Sequence, residues 1–270
     1  MKNILIASLT LFAALPAHAL VGGAVDPNTA ASPWAAVGAV TVKQIGGNNM
    51  KLPSGLKIAK PRKLILAFVQ HWYPMYDAVP VMEDNELRVA DIALSTMLNS
   101  RISGNTGGAI FRQRETVQAA LAGIPPNLDL LDIPIDGELP GASGISRAIT
   151  SMCELMRVKL SVSTKILHKK RPGLIPIFDS VVAGQYYPRW CPNVRGQTWG
   201  DYALALIKLV QKDMHGAASE LRDLRSELAE RGAPMTPCRI LNALTWIVRA
   251  GNEEWIVKQA KELASRKERK

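Results

Sequence analysis

The sequence predicts an all-α protein, in which a compact multi-helix domain follows a signal peptide and a short extended or disordered segment. Apolar residues recur at the three- and four-residue spacing of a helix face through most of residues 64–265. Helix start signals are specific, above all Thr236 as an N-cap with Pro237 at the first helical position. Alternating apolar residues are confined to 127–140, a segment with two prolines that is a loop or a short strand.

The predicted helices follow one another closely, with caps or breakers between them. Gly123 and Pro125 stop the third, and Pro172-Gly173 stops the fifth. In order, they are 64–72, one capped by Asp84 or Asn85 and reaching Leu98, 110–122, 146–158, 163–170, one beginning at Ser180, 202–214, 217–230, one beginning at Thr236 and passing Ile247, and 253–264.

Residues 1–19 predict a secretory signal peptide. Lys2 supplies the positive start, and the apolar run that follows it is too short to span a bilayer. Ala17-His18-Ala19 has the small-residue pattern of a cleavage site. No later segment is predicted to cross a membrane.

Residues 20–43 begin with Leu20-Val21-Gly22-Gly23 and reach Pro33-Trp34. This run resembles the opening of mature trypsin-like serine proteases. A protease also needs a base, an orienting carboxylate and a nucleophile. No histidine of this chain lies in the family's Thr-Ala-Ala-His setting, and Gly-Asp-Ser-Gly-Gly does not occur. We therefore expect an N-terminal protease fragment without protease activity.

Residues 44–63, rich in Gly, Asn, Pro and Lys, predict a linker to a basic helical domain at 64–265, with a basic tail at 266–270. Met50 lies within the linker, and a fused or mis-joined reading frame that originally began there is one hypothesis. The other is a genuine exported fusion. The expected location is secreted or periplasmic if the signal peptide is genuine, and cytoplasmic if the chain begins at Met50.

The chain carries a net charge of +10, and residues 1–49 contain only two of its 33 Lys and Arg and one of its 23 acids. A basic domain favours polyanionic partners, DNA first, although a soluble protein can simply be basic. Cys153, Cys191 and Cys238 show no C-x-x-C pairing, so neither a metal nor another cofactor is predicted.

The most distinctive run is TKILHKKRPGLIPIFDSVV, residues 164–182. Its cations suggest a phosphate- or nucleic-acid-binding patch; a solvated face that complements the helix dipole is the alternative. Asp179, at the expected start of a helix, is either an N-cap or a carboxylate at the mouth of a site. The predicted phosphate-binding residues are His168, Lys169, Lys170, Arg171 and Arg189.

Together with RILNALTWIV at 239–248, this run resembles the signature stretches of a bacterial domain-of-unknown-function family, numbered six-three-zero-eight, over about residues 60–250. Asn242 stands where that family is expected to have an acid. The run is also similar, more faintly, to the helix-hairpin-helix DNA glycosylases. That second resemblance implies Asp179 as a catalytic carboxylate and Lys165 as an amine nucleophile. The glycine hairpin of those enzymes is missing between Val158 and Ser163.

The predicted function is therefore a basic helical domain that binds DNA, in its narrower form glycosylase-like in base excision. The alternative is a non-catalytic helical module that binds a protein and exposes a large apolar patch. Among the aromatic residues, Trp246 is predicted to lie in the core, whereas Trp190 and Trp199 either pack or stack on bases.

Overall fold

The structure is a computed structural model that describes residues 49–72, 76–79, 84–186 and 197–267. Over these ranges it is mostly helical, with one two-stranded sheet, which confirms the all-α prediction. The elements are β1 (Met50–Lys51), β2 (Lys57–Ile58), α1 (Pro61–Trp72), α2 (Val89–Thr96), α3 (Gly104–Arg112), α4 (Arg114–Ala122), α5 (Ala142–Cys153), α6 (Leu160–His168), α7 (Ser180–Tyr186), α8 (Trp199–Gly216), α9 (Ala218–Glu230), α10 (Pro237–Arg249) and α11 (Glu253–Lys267).

Helix α10 is the centre of the core, and ten of its residues are buried. Thr236 caps it by accepting a hydrogen bond at Oγ1 from the Arg239 amide (3.2 Å), with Pro237 in the first turn, as predicted. Helices α1, α7, α8 and α9 pack around it. The cap also ties α10 to the segment after α6, because the Thr236 hydroxyl donates to the Pro172 carbonyl (2.9 Å).

Several predicted elements differ in detail from the structure. Helix α2 begins at Val89 after Arg88 and not at a cap formed by Asp84 or Asn85, and α5 ends at Cys153 and not at residue 158. The helix predicted at 110–122 is two helices, α3 and α4, which break at Gln113 (ψ 5°). Ser103 caps α3 earlier than predicted, since its hydroxyl accepts a hydrogen bond from the Thr106 amide (3.2 Å). Within 127–140 the structure has a loop with one 3-10 turn at Leu130–Asp132, in which Asp129 accepts from the Leu131 amide (2.9 Å).

Residues 50–63, predicted to belong to a linker, are folded. Strands β1 and β2 form an antiparallel hairpin that pairs Met50 with Ile58, and both side chains are buried. Ser54 fastens the turn of the hairpin to α8 by donating its amide and its hydroxyl to the Asp213 carboxylate (2.7 and 2.6 Å). Two-residue strands carry no periodicity, so the composition of this segment could not reveal them.

Residues 1–48 and 268–270 lie outside the described residues, so the predicted signal peptide, the protease-like fragment and most of the basic tail are not placed. Within the described ranges, no helix is long and apolar enough to cross a membrane. The same ranges contain no group of three His, Cys, Asp or Glu side chains able to hold a metal ion.

Helix α11 packs along α1. The rings of His71 at the end of α1 and Trp255 near the start of α11 lie 5.5 Å apart. The two helices are therefore antiparallel, and the end of α11 lies beside the start of α1.

Candidate functional site

Most of the run singled out in the sequence lies in the interior of the protein. Every residue from Ser163 to Phe178 is buried, including Lys165, His168, Lys169, Lys170 and Arg171. This placement differs from the accessible phosphate-binding patch that the charges predicted. The reason is that carboxylates and main-chain carbonyls from distant segments surround the run and accept hydrogen bonds from its cations.

Lys170 and Arg171 are engaged in ion pairs and hydrogen bonds within the protein. The Lys170 ammonium is 0% exposed and pairs with Asp91 (2.8 Å) and Asp84 (3.2 Å). Arg171 donates to the carbonyls of Leu121 and Ile124, at the end of α4 (2.9 Å each). The Leu121 carbonyl also accepts from the Ile124 amide (2.9 Å), so the guanidinium adds a second donor there and ties the end of α4 to the segment after α6.

His168 and Lys169 surround the ring of Tyr76. The Tyr76 hydroxyl donates to the Lys165 carbonyl (2.7 Å), and the Lys169 ammonium lies 4.3 Å from the ring centroid while it donates to the Val79 carbonyl (3.0 Å). Burial lowers the pKa of His168 to about 3, so the ring is neutral and its Nδ1–H donates to the Ile175 carbonyl (2.7 Å). Burial also lowers the pKa of Lys169 to about 8, against the opposing effect of Asp77.

Arg239 and Asp77 complete the cluster, and the sequence analysis did not select either. Arg239 lies in an otherwise apolar helix stretch, and that was the one available signal. The Arg239 guanidinium pairs with the Asp77 carboxylate and also donates to the Asn242 amide oxygen (3.0 Å). The Asn242 amide nitrogen donates in turn to the Ile177 carbonyl (2.7 Å). An amide can both accept and donate at this position, whereas an ionised acid could only accept.

Lys165 and Asp179, the predicted catalytic pair, lie at the edge of this cluster. The Lys165 ammonium donates to the Leu98 carbonyl (2.6 Å). Its pKa is lowered by burial and raised in part by the Asp179 charge, so the two groups are electrostatically coupled. Asp179 is half-buried and caps α7, because its Oδ1 accepts from the Val181 and Val182 amides (3.0 and 2.9 Å).

The cap leaves half of the Asp179 carboxylate unused. Its second oxygen, Oδ2, has no hydrogen-bond partner among the described residues. The structure thus confirms the N-cap interpretation of Asp179 and leaves one oxygen for another role. Arg189, the remaining predicted phosphate-binding residue, and Trp190 lie outside the described residues.

The accessible positive charge lies elsewhere, in the segment predicted as a linker. Lys51, Lys57, Lys60 and Lys63 are exposed, and we call them the lysine surface. Residues 49–63 contain no acid, and within the described part of the chain none of the four lysines forms an ion pair. Arg62, the fifth cation of this segment, pairs with Glu227 on α9 through two hydrogen bonds (2.6 and 2.7 Å).

The geometry of the lysine surface concentrates this charge. Lys51 and Lys57 are direct cross-strand partners, so like charges oppose each other on the outer side of the hairpin. Lys60 precedes α1 and Lys63 lies in its first turn, which has no acid, and there they add to the positive end of the helix dipole. A polyanion laid here would relieve the repulsion.

A family model described as "Family of unknown function (DUF6308)" matches residues 68–249. The buried cluster lies within the matched residues, and the lysine surface precedes them. No curated protein and no solved structure matches the chain.

Proposed function

The chain belongs to the family of unknown function DUF6308, and we propose that it is a helical domain that binds DNA through the phosphate backbone. The observation that carries the proposal is the lysine surface, with four exposed lysines that form no ion pair with any described residue and no acid over residues 49–63. Because this surface lies outside the residues that the family model matches, the proposal concerns this chain and not the whole family.

The buried cations contribute to this function indirectly. Lys170 and Arg171 already donate to carboxylates and carbonyls, so a phosphate could reach them only by breaking those contacts. Loss of acceptors at buried charged donors costs several kcal/mol, on the order of the stability of a whole domain. Their supported role is therefore to hold α4, α6 and the segment before α2 together.

Salt-dependent binding tests the proposal. We expect the full chain to bind a labelled DNA duplex, with an affinity that falls as salt rises from about 50 to about 200 mM, because bound lysines displace condensed counterions. Fluorescence anisotropy measures the dissociation constant. Lys51→Glu combined with Lys57→Glu should weaken binding at least ten-fold and make the dependence on salt shallower.

The matched control makes the same change of charge elsewhere. Arg101 and Arg112 are exposed on and just before α3. Arg101→Glu with Arg112→Glu should leave the dissociation constant within about three-fold of the parent, since only weak long-range terms change. Equal losses of affinity in both double variants would show a general charge effect and exclude the lysine surface as the binding site. No binding at low salt would refute the proposal itself.

Glycosylase-like base excision is a second candidate, favoured by the Oδ2 of Asp179, which has no hydrogen-bond partner among the described residues, and by the electrostatic effect of that carboxylate on the buried amine of Lys165. An amine of lowered pKa suits Schiff-base formation with the sugar, and a free carboxylate oxygen suits assistance at the base–sugar bond. Asp179→Asn keeps an oxygen for the α7 cap. It should abolish release of a damaged base from a duplex while leaving duplex affinity unchanged, and retained release would exclude this candidate.

A non-catalytic protein-binding module is the rival class, favoured by one side of α2. Val89 and Met97 are 64% and 42% exposed, and Ala93 lies between them at helical spacing. This stripe is short in comparison with stable interfaces. Two results together would favour the protein-binding module. The chain would not bind DNA at low salt, and it would self-associate or bind a protein through a contact that Val89→Asp abolishes.

A further inference from the structure

Four aromatic rings meet where α1, α10 and α11 come together. We call His71, Trp72, Trp246 and Trp255 the aromatic cluster. Trp72 lies at its centre, with ring centroids 5.2 Å from His71, 6.4 Å from Trp246 and 6.2 Å from Trp255. Trp246, predicted as core, is half-buried, and Trp255 is 38% exposed. The cluster therefore opens to the surface.

Two buried polar atoms of this cluster lack hydrogen-bond partners within the described part of the chain. His71 Nδ1 and Trp72 Nε1 are both buried without a hydrogen bond. Burial lowers the pKa of His71, so its ring is neutral near pH 7. Buried polar atoms normally find partners in a settled core, and two neighbouring exceptions mark this cluster as different from simple packing.

The aromatic cluster and the lysine surface lie at opposite ends of α1. Lys63 and His71 are eight residues apart, which corresponds to about 12 Å along a helix. Helix α1 contains no acid, and the residues that are only half-buried between the two ends are Leu66 and Gln70. A strand bound at the lysine surface could run along α1 to the aromatic cluster without meeting a negative charge on that helix.

We infer that the aromatic cluster stacks an unpaired base of single-stranded DNA whose phosphates lie on the lysine surface, an inference that rests on the proposed function. Every base offers a flat π-face, and aromatic side chains beside a basic track bind single strands in this way. Bases within a duplex are already stacked, so the cluster selects single strands.

A methylated ammonium is the competing ligand for such a cluster, because Glu253 and Glu254 lie beside Trp255. Two observations favour the base. Both acids lie in the first turn of α11, where they complement the helix dipole, and helix α1, which contains no acid, connects the cluster to the lysine surface.

Anisotropy titrations of the full chain with labelled oligothymidylate and with a labelled duplex test the inference. Trp255→Leu should weaken oligothymidylate binding roughly ten-fold while duplex binding changes less than about two-fold, and Trp255→Phe should retain most of the parent affinity. Met156→Ala, which removes another exposed apolar side chain (83% exposed), should change neither affinity. Circular dichroism confirms that each variant is folded.

The outcomes separate the two proposals. If both nucleic acids bind and Trp255→Leu alters neither affinity, the stacking inference is wrong and the DNA-binding proposal stands. If neither nucleic acid binds, both fail. Binding of a trimethyllysine peptide that Trp255→Leu abolishes, without any effect of Trp255→Leu on oligothymidylate binding, would assign the cluster to a cation instead.

Discussion

Arg239 and Asp77 form a two-point ion pair across 162 residues of chain, with Nε–Oδ1 at 2.7 Å and Nη2–Oδ2 at 2.9 Å. Both side chains are more than nine-tenths buried. The pair joins α10 to the segment after α1, while the Arg239 guanidinium also lies near the rings of Phe68 and Tyr76. One interaction thus links the central helix α10 to the segment after α1 that packs against the buried lysines.

Removal of one partner of this pair should destabilise the fold strongly. Arg239→Met leaves a buried carboxylate without its cation, which costs about 3–5 kcal/mol of unfolding free energy, measured by urea titration. Adding Asp77→Leu should recover much of the loss. Lys258→Ala, which removes an exposed pair with Glu262 (3.9 Å), should cost at most about 0.5 kcal/mol. Equal losses of unfolding free energy in Arg239→Met and Lys258→Ala would contradict the importance assigned to burial of the pair.

Lys169 should make stability rise with pH in the alkaline range. Its pKa is about 8 in the fold and 10.5 as the ordinary value. Between these values the unfolded chain holds a proton that the fold has released, so the unfolding free energy increases as pH rises, by up to about 3 kcal/mol in total. Denaturant titrations at about pH 8, 9 and 10 measure the slope. Lys169→Met should flatten it, and an unchanged slope would exclude this assignment.

Asn242→Asp should convert a satisfied amide into a pH-sensitive defect. The new carboxylate keeps a partner in Arg239 but faces the Ile177 carbonyl without a proton to donate. We expect a loss of about 1–3 kcal/mol near pH 7. Because protonation restores the donor, the loss should shrink as pH falls toward the acid range, measured relative to the parent at each pH. A variant as stable as the parent near neutral pH would refute this explanation.

Gly216→Ala should loosen the hairpin that carries the lysine surface. An added Cβ would lie 2.6 Å from the Pro53 side chain, too close for the turn to keep its position on α8. Overpacking of this kind costs about 1–3 kcal/mol. Hydrogen exchange should show lost protection at 52–58 with α10 unaffected. Gly184→Ala is the control, since its Cβ meets no atom within 4 Å; loss of protection there too would remove the steric explanation.

The sequence predicts the helices well and the direction of the charged side chains poorly. The start of α10 follows from local chemistry, because Thr236 and Pro237 act on the next few amides. Lys170 could not be placed in the same way. Its partners, Asp84 and Asp91, lie far back in the chain, and a run of lysines looks the same whether solvent or carboxylates surround it.

The same limit applies to the candidate site. Asp179 as a helix cap was predictable from the apolar run before it and the helix after it. The pairing of Arg239 with Asp77 was not, since each residue alone is an ordinary charged residue in the sequence. The lysine surface was visible as composition, but its meaning depended on a hairpin too short to leave a pattern.

The positions of the buried charged residues along the chain affect folding during synthesis. Asp84 and Asp91 are made before Lys170, so those charges can meet as soon as α6 leaves the ribosome. Asp77 must wait until Arg239 is made, 162 residues later. A nascent chain that stops short of α10 would therefore hold an unmatched carboxylate beside its apolar core. The domain is thus poorly suited to folding stepwise during synthesis.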